Sequence, residues 1–190
     1  MKIVVFDFDK TLTYRDSLTQ FFLERMKGWR VIFLPYYILL KVLSKYGVIS
    51  VQKEKEFAFN VLCPRSEACT NRLLIDFADR IVLNEINEKV DDSLLRGDRV
   101  VILSASSEVY LNKIYPDCEI IGLRYDADKG YHITQHPYGK EKLDLLLRKE
   151  IERVDEFYYD SKSDEYVLPI CKKAYRISNG KIVEEKENLK

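Results

Sequence analysis

Short apolar runs that lack helical spacing recur along this chain, and they constrain its fold more than any other feature. The first run, Ile3-Val4-Val5-Phe6, ends at an acidic residue. A strand buried on both faces has a continuous apolar sequence of this kind, because neither face contacts water. Similar runs follow at residues 99–103, 119–123, 156–159 and, more weakly, 174–177. Strands of this kind that alternate with helices predict a doubly wound α/β domain with a mainly parallel sheet.

A long insert separates the first two of these runs. Apolar residues recur at helical spacing through residues 14–95. Asp16 or Ser17 suits the N-cap of the first helix, and residues 68–90 carry a long amphipathic pattern that Gly97 ends. The insert is therefore predicted to be helical throughout.

The remainder of the chain completes the α/β pattern. Residues 125–131 carry a turn signal between two extended pieces, which predicts a hairpin, and a helix is expected over about residues 140–152. We therefore expect residues 1–13 and 96–190 to form the α/β core. The helical insert would be a cap that follows the first strand.

The stretch Val31–Leu43 is nearly continuous in apolar and aromatic residues. Crossing a bilayer takes about 20 such residues, and this run is shorter and is broken by Pro35 and Lys41. A buried or surface-docking helical segment is therefore favoured over a membrane span. Peripheral contact with a membrane stays open as the less favoured alternative.

Composition excludes some classes of partner. The formal net charge is zero, so no global field attracts nucleic acid, and no nucleic-acid partner is expected. The four cysteines form no C-x-x-C pair, which favours free thiols over a disulfide framework or a zinc site. The sequence starts directly with a strand pattern, without a signal segment, so we expect a cytoplasmic protein.

The sharpest local feature is the pair Asp7 and Asp9, directly after the first apolar run. Positions i and i+2 of a strand point to the same face, and ligands of open α/β sheets bind beyond the carboxyl ends of the strands. Two carboxylates this close repel each other unless a cation or a proton lies beside them. A solvated acidic turn is the alternative for an isolated D-x-D.

Polar residues also follow the second and fourth runs. Ser104 and Ala105 follow the second, where a hydroxyl and backbone amides could hold phosphate oxygens; a helix cap is the alternative role of Ser104. Asp160 and Asp164 follow the fourth, and carboxylate oxygens suit Mg²⁺. An N-cap is the alternative role of Asp164.

The order of these elements resembles the haloacid dehalogenase superfamily of phosphohydrolases. The helical insert after the first motif resembles its phosphoserine-phosphatase-like branch, and within it the phosphatidylglycerophosphatase-type members. The match covers nearly the whole chain. Its first motif, D-x-D-x-T, corresponds to Asp7, Asp9 and Thr11, and its second, a hydrophobic run ending in Ser or Thr, corresponds to Ser104. Its third motif is a lysine, here Lys142 or Lys140. Its fourth, D-x-x-x-D, corresponds to Asp160 and Asp164.

The resemblance implies a catalytic role for each carboxylate. Asp7 would attack phosphorus and form an acyl phosphate. Asp9 would protonate the leaving oxygen and then activate water. Mg²⁺ would be held by Asp7, the backbone carbonyl of Asp9 and Asp160, with support from Asp164.

The resemblance also implies the phosphate-binding and substrate contacts. Ser104, Ala105 and Thr11 would bind the phosphoryl group. In the closest subgroup the motif lysine stands three residues after a glycine, which selects Lys142 over Lys140. An acidic residue in the first cap helix can bind a substrate amine in this branch, and Asp16 stands there, with the N-cap role as the alternative.

Two departures from the family pattern bear on function. Tyr159 precedes Asp160 where many relatives have Gly, and the cap is less hydrophobic than in a membrane-embedded relative. His132 and His136 are expected to be surface or structural residues. The leading prediction is a Mg²⁺-dependent hydrolase of a small phosphate monoester. A phospholipid-phosphate phosphatase, a non-catalytic phosphate-binding module and phosphoryl transfer to another acceptor stay open, and the oligomeric state is not predicted.

Overall fold

A seven-stranded sheet forms the centre of the computed structural model, which describes residues 1–84, 86–87, 90 and 96–187. All five predicted strands are present, and a strand at each edge joins them. The strands are β1 Ile3–Phe6, β2 Arg99–Ser107, β3 Glu119–Asp126, β4 His132–Gln135, β5 Val154–Tyr159, β6 Cys171–Ser178 and β7 Lys181–Glu187.

The order across the sheet is β4-β3-β2-β1-β5-β6-β7. The five central strands are parallel, while β4 and β7 pair antiparallel with their neighbours. The predicted doubly wound, mainly parallel sheet is thus confirmed, and so is the hairpin after β3. Because the chain moves outward from β1 in one direction and later in the other, β1 lies at the point where the strand order reverses.

The two faces of β1 contribute to different hydrophobic clusters, as the alternation of strand side chains requires. Val4 and Phe6 pack with Phe22 of the helical insert, whereas Val5 packs with Leu146 of a helix on the other face. All five side chains are at most 1% exposed. Both faces of the strand are therefore covered, which explains why its sequence is a continuous apolar run.

Helices connect the strands and form the insert. The α-helices are α1 Ser17–Arg25, α2 Leu34–Lys45, α3 Val51–Leu62, α4 Glu67–Asn84, α5 Glu108–Ile114 and α6 Lys140–Arg148. Two 3-10 helices, Gly28–Phe33 and Lys162–Ile170, and a kinked helical turn at Phe8–Leu12 also lie in the described part of the chain. The helical character predicted for the insert is confirmed over α1 to α4.

The predicted end of α4 was wrong. The amphipathic pattern predicted a helix to residue 90, but α4 ends at Asn84 and Ile86 forms an antiparallel bridge with Thr13. The amide of Asn87 donates to the carbonyl of Leu12 over 2.7 Å. Pairing with the segment after β1 satisfies these backbone groups in place of the helical ladder. Residues 91–95, which precede Gly97, lie outside the described residues.

The helix α6 also ends earlier than the sequence predicts. It stops at Arg148, and Glu150 adopts a left-handed φ of 60°. The predicted apolar face included Leu147, yet that side chain is 44% exposed while Leu145 and Leu146 are buried. The amide of Ile151 returns to the carbonyl of Leu146, so the carbonyls at the helix end are satisfied without further turns.

The apolar stretch of the insert is helical, as expected. It comprises the 3-10 helix and α2, of which Tyr37 and Leu40 are buried. In the described part of the chain, no helix combines the length and the hydropathy that crossing a bilayer requires.

Candidate active site

The candidate site lies at the carboxyl ends of β1 and β5. These strands are parallel neighbours, with Phe6 in register with Tyr158, and the amide of Asp7 donates to the carbonyl of Tyr158 over 2.8 Å. This bond extends the ladder by one residue and places Asp7 beside the segment that begins at Asp160. The strand order reverses here, so two loops diverge and leave a crevice between them.

Three carboxylates meet in this crevice. Oxygen atoms of Asp7, Asp160 and Asp164 lie within 4.8 Å of one another. Asp7 and Asp164 are buried, with 5% and 2% exposure, and Asp160 is half-buried. The structure therefore brings together the three carboxylates predicted from two distant stretches of sequence.

Lys142 neutralises part of this charge. Its Nζ atom lies 2.7 Å from Oδ1 of Asp7 and 2.6 Å from Oδ1 of Asp164, and the side chain is 3% exposed. Lys140, the alternative motif lysine, is exposed and does not line the cleft. The first turn of α6 thus directs Lys142 into the site, as the preferred interpretation predicts.

The protonation equilibria reflect three carboxylates that face Lys142, with Lys10 also acting on Asp160. Burial raises the pKa of Asp7 well above its usual range, and Asp164 and Asp160 add to this effect against the opposing pull of Lys142. Burial and then Asp164 raise the pKa of Asp160 to about 6. Burial lowers the pKa of Lys142, but Asp7 and Asp164 outweigh it, so that the pKa is raised. The cluster keeps an excess of negative charge.

A divalent cation fits this donor set. Mg²⁺ prefers carboxylate oxygens and takes one or two carboxylates together with phosphate oxygens and water. Added positive charge would relieve the repulsion that raises the pKa values of Asp7 and Asp160. Asp7, Asp160 and Asp164 are the residues that could hold it.

Asp9 lies in a different environment, outside the cluster of three carboxylates. Its Oδ1 accepts from the amide and the hydroxyl of Ser17 over 2.8 and 2.5 Å, and its Oδ2 accepts from the hydroxyl of Ser106 over 2.5 Å. Burial and the charge of Asp16 raise its pKa, while the bonds from Ser106 and Ser17 lower it. A carboxyl with a raised pKa that lines the cleft is suited to carry a proton.

The cleft has a volume of about 220 Å³. It contains eight of the predicted residues together with several that were not singled out. The lining residues are Asp7, Asp9, Lys10, Asp16, Ser104, Ala105, Pro137, Tyr138, Lys142, Asp160, Ser161, Ser163 and Asp164.

The predicted phosphate-binding residues separate into two groups. Ser104 and Ala105 line the cleft, and Oγ of Ser104 accepts from the amide of Ser106. Thr11 does not line it. Its side chain is fully buried, and its carbonyl accepts from the side-chain amide of Asn87. In the structure Thr11 packs beneath the loop after β1, on the side away from the cleft.

Asp16 caps α1, which is one of the two roles that the sequence left open. Its Oδ1 accepts from the amide of Thr19 over 2.7 Å, and the residue also lines the cleft. Burial raises its pKa, but Lys41 and Lys55 outweigh burial, so that the pKa is lowered. Asp16 is therefore a charged group at the boundary between cap and core.

Sequence reasoning missed the lysines of the cap. Lys41 of α2 forms an ion pair with Glu54 over 3.1 Å, and Lys55 of α3 donates to the carbonyl of Ala105 over 2.7 Å. Burial lowers the pKa of Lys55, and Asp16 and Asp9 oppose that effect. The run Lys53-Glu54-Lys55-Glu56 resembles any solvated helix surface, so nothing in it indicates which lysine faces the core.

His136 is an interior residue within the electrostatic reach of Lys55 and Lys142. It is buried and stacks on Tyr138, with ring centroids 5.6 Å apart. Burial, with Lys55 and Lys142, lowers its pKa to about 3. His132 is exposed and lies 3.0 Å from Glu56.

Tyr159, which stands where many relatives have Gly, packs into the core. Its side chain is fully buried and stacks on Phe157, on the face of the sheet opposite to the cap. All four cysteines are free thiols, as predicted.

Three solved structures resemble this chain in fold. A protein of unknown function from Bordetella pertussis Tohama I superposes with a TM-score of 0.70 at 19% identity, covering 88% of this chain and 85% of that one. A phosphoserine phosphohydrolase-like protein from Francisella tularensis subsp. tularensis SCHU S4 gives 0.64 at 16% identity, with 93% and 87% covered. A phospho-aspartyl intermediate analogue of phosphoserine phosphatase gives 0.60 at 15% identity, with 92% and 85% covered.

These likenesses agree with the sheet order and the helical insert. Comparison with curated protein sequences gives no match. A family model for haloacid dehalogenase-like hydrolases matches residues 4–168. That range runs from β1 through Asp164 and so includes every carboxylate of the cleft. The chain therefore belongs to the haloacid dehalogenase-like hydrolases.

Proposed function

We propose that this protein is a Mg²⁺-dependent phosphatase that hydrolyses a small phosphate monoester through a phosphoaspartate on Asp7. The observation that carries the proposal is the contact of one buried lysine, Lys142, with both Asp7 and Asp164 at the strand-order reversal. A nucleophilic carboxylate needs its negative charge moderated before an anionic phosphoryl group can approach. Lys142 supplies part of that compensation at the reacting atom.

The first step forms the acyl phosphate. An oxygen of Asp7 attacks phosphorus, a new P–O bond forms, and the bond from phosphorus to the leaving oxygen breaks. The leaving oxygen takes a proton from Asp9, which leaves Asp9 as a carboxylate. The raised pKa of Asp9 supports this role, because a buried carboxyl retains a proton to donate at a higher pH than a solvated one.

The second step releases phosphate. Water attacks phosphorus while Asp9 accepts its proton, and the bond between phosphorus and Asp7 breaks. Both carboxylates then return to their starting states. Ser17 and Ser106 hold Asp9 on both oxygens, which favours one orientation of this group in both steps. During turnover, Asp9 would exchange one of these hydrogen bonds for a bond to the substrate or to water.

Mg²⁺ bound by Asp7, Asp160 and Asp164 would supply positive charge against the phosphoryl oxygens. Lys142 holds Oδ1 of Asp7 and so orients the attacking carboxylate. Ser104 and the backbone amides after it would bind the remaining phosphoryl oxygens.

The size of the cleft supports a small substrate. Ligand pockets for drug-sized molecules are commonly about 300–1,000 Å³, and this cleft measures about 220 Å³. Asp16 at its edge would contact a positively charged part of the leaving group. A small phosphorylated metabolite and a cytoplasmic location remain parts of this proposal.

The test compares wild type with Asp7→Asn, which keeps the shape of the side chain and removes the nucleophile. Asp117→Asn is the matched control, because Asp117 is an exposed loop residue far from the cleft lining. With p-nitrophenyl phosphate and Mg²⁺, we expect turnover by wild type and the control, and at least about a thousandfold less by Asp7→Asn. EDTA should abolish the wild-type rate.

Two results would contradict the proposal. Activity of Asp7→Asn close to that of the control would remove Asp7 as the nucleophile. Full wild-type activity in EDTA would remove the role of the metal. A panel of phosphorylated metabolites, assayed for phosphate release and for transfer to added alcohols, then identifies the leaving group and separates hydrolysis from phosphoryl transfer.

A further inference from the structure

The outer surface of the cap exposes an unusual number of large apolar side chains. Nine of them fall between residues 29 and 48, and each is at least 45% exposed. We call this set the outer cap face. Its members are Trp29, Val31, Ile32, Tyr36, Ile38, Leu39, Val42, Tyr46 and Val48. Exposed apolar side chains concentrated in one segment of a folded domain indicate an interaction site.

The helix α2 is apolar on its outward side as well as on its buried side. Tyr37 and Leu40 are buried, and beside them the partly buried Lys41 donates to Thr19 and pairs with Glu54. Ile38 and Val42, four residues apart and therefore on one side of the helix, are 53% and 45% exposed. The outward side of a surface helix is normally polar. The exposed apolar side of α2 therefore suits contact with an apolar phase.

The charge around the outer cap face has one sign. From Arg25 to Lys53 the chain carries six lysines and arginines and no aspartate or glutamate, although the whole protein has a net charge of zero. Five of the six form no ion pair with any residue in the described part of the chain. These are Arg25, Lys27, Arg30, Lys45 and Lys53.

Aromatic rings accompany the exposed cations. Trp29, Tyr36 and Tyr46 are 68%, 48% and 77% exposed, and the guanidinium of Arg30 lies 5.8 Å from the centre of the Trp29 ring. Trp and Tyr are enriched at the boundary between water and lipid, because their rings are partly polar. Apolar residues, interfacial aromatics and unpaired cations together match an interfacial amphipathic helix.

A second copy of the chain fits this surface less well. A two-fold contact places the same patch on both subunits, so that Lys27, Lys45 and Lys53 would approach their own copies without any acidic residue of the segment to neutralise them. An anionic surface offers charge of the opposite sign.

We propose that the outer cap face docks the protein on the surface of an anionic lipid bilayer. The apolar side chains would enter the interface, and Lys27, Arg30, Lys45 and Lys53 would lie against the headgroups. This inference goes beyond the proposed phosphatase activity and does not depend on it, since none of the nine residues lines the phosphate cleft. It reverses the preference stated from sequence, which placed peripheral membrane contact second.

Co-sedimentation with lipid vesicles tests the proposal directly. The vesicles contain phosphatidylcholine alone or phosphatidylcholine with phosphatidylglycerol, and the protein is the full chain. We expect binding to the anionic vesicles that weakens with added salt. Ile38→Glu and Val42→Glu should each reduce the bound fraction severalfold. Ile182→Glu is the matched control, because Ile182 of β7 has the same 53% exposure as Ile38 and lies outside the outer cap face.

Charge variants probe the second half of the proposal. Lys45→Gln and Lys53→Gln should each weaken binding to the anionic vesicles by about fivefold and should leave thermal unfolding unchanged, since neither lysine forms an ion pair. Lys172→Gln serves as the control for charge alone, because this exposed lysine pairs with Asp155 at the far end of β6.

Three outcomes would overturn the proposal. The first is no binding to anionic vesicles at low salt. The second is equal loss of binding by Ile38→Glu and Ile182→Glu. The third is a dimer in light scattering that Val42→Glu dissociates while vesicle binding is absent, which would assign the outer cap face to a second copy of the chain.

Discussion

Two groups of charged side chains lie in or beside the cleft, and they differ in charge balance. The core cluster places Asp7, Asp160 and Asp164 against the ammonium of Lys142, and Lys10 of the cleft lining also acts on Asp160. In the cap cluster, Asp16 and Glu54 face the two lysines of α2 and α3, so that the charges balance.

The difference indicates a division of roles. The core cluster keeps a negative excess that a divalent cation can neutralise, which suits binding of metal and phosphoryl group. The cap cluster is neutral without any ligand, so a substrate would exchange existing contacts there. We therefore expect changes in the core cluster to affect the chemical step and changes in the cap cluster to affect substrate preference.

The largest loss of activity is expected when the lysine of the core cluster is replaced. Lys142→Met keeps the length of the side chain and removes the charge that contacts Asp7 and Asp164. We expect kcat to fall at least about a hundredfold, because compensation at the reacting group is lost. Lys140→Met is the control, since Lys140 is exposed, and should retain wild-type kcat. Equal effects of the two variants would break the assignment of Lys142 to the site.

Metal binding provides a second test of the negative excess. At Mg²⁺ about a hundredfold above its Kd, we expect the Tm of wild type to rise by about 5–10 °C. Asp160→Asn should show a much smaller rise. Without metal it should be at least as stable as wild type, because the raised pKa of Asp160 marks a carboxylate that is unfavourable when ionised. Differential scanning fluorimetry measures both, and an undiminished Mg²⁺ shift in Asp160→Asn would contradict the assigned donor set.

Changes in the cap cluster should act more weakly and on KM. Asp16→Asn keeps an oxygen that can cap α1, so the fold should be preserved. On the best substrate of a phosphometabolite panel, we expect KM to rise up to about tenfold with kcat within about twofold, as for a contact made equally in ground and transition states. A loss of kcat in Asp16→Asn as large as that in Lys142→Met would contradict the assignment of different roles to the two clusters.

The smallest effect concerns His136, whose pKa is lowered to about 3 by burial and by one lysine of each cluster, Lys55 and Lys142. In the unfolded chain, His136 takes up a proton near its ordinary pKa of 6.5, whereas in the folded protein it stays neutral. The folded protein therefore loses stability as pH falls below 6.5. Between about pH 6.5 and about pH 4.5, wild type should lose roughly 2 kcal/mol more than His136→Leu. Urea unfolding at these two pH values measures the difference, and parallel losses would show that His136 does not face both lysines.

The core cluster was predictable because its residues follow strands. Asp7, Ser104 and Asp160 each stand directly after an apolar run, and parallel strands bring their carboxyl ends to one edge of the sheet. Lys142 was preferred over Lys140 by motif spacing, and the side chain of Lys142 is the one that the first turn of α6 buries.

The cap cluster was not predictable, because its contacts join residues of different helices. Lys55 stands in a run of alternating lysines and glutamates, and only the packing of α3 on β2 determines that it reaches Ala105. The orientation of Asp9 toward Ser17 and Ser106 depends on the same packing. Thr11 shows the opposite error: its motif position predicts phosphate contact, but the left-handed residue Lys10 turns the chain so that the cleft receives Lys10 and Thr11 faces the interior.

The most direct test of the account is the position of the phosphoryl group during turnover. Asp9→Asn retains the nucleophile and lacks the base for hydrolysis. Because p-nitrophenolate leaves without needing the proton that Asp9 would donate, the acyl phosphate should accumulate after rapid mixing with p-nitrophenyl phosphate and Mg²⁺. Acid quenching followed by peptide mass spectrometry should find the added phosphate on Asp7. Phosphate recovered on Ser104 or another residue, or turnover by wild type with no phosphate on the enzyme at any time, would contradict the proposed mechanism.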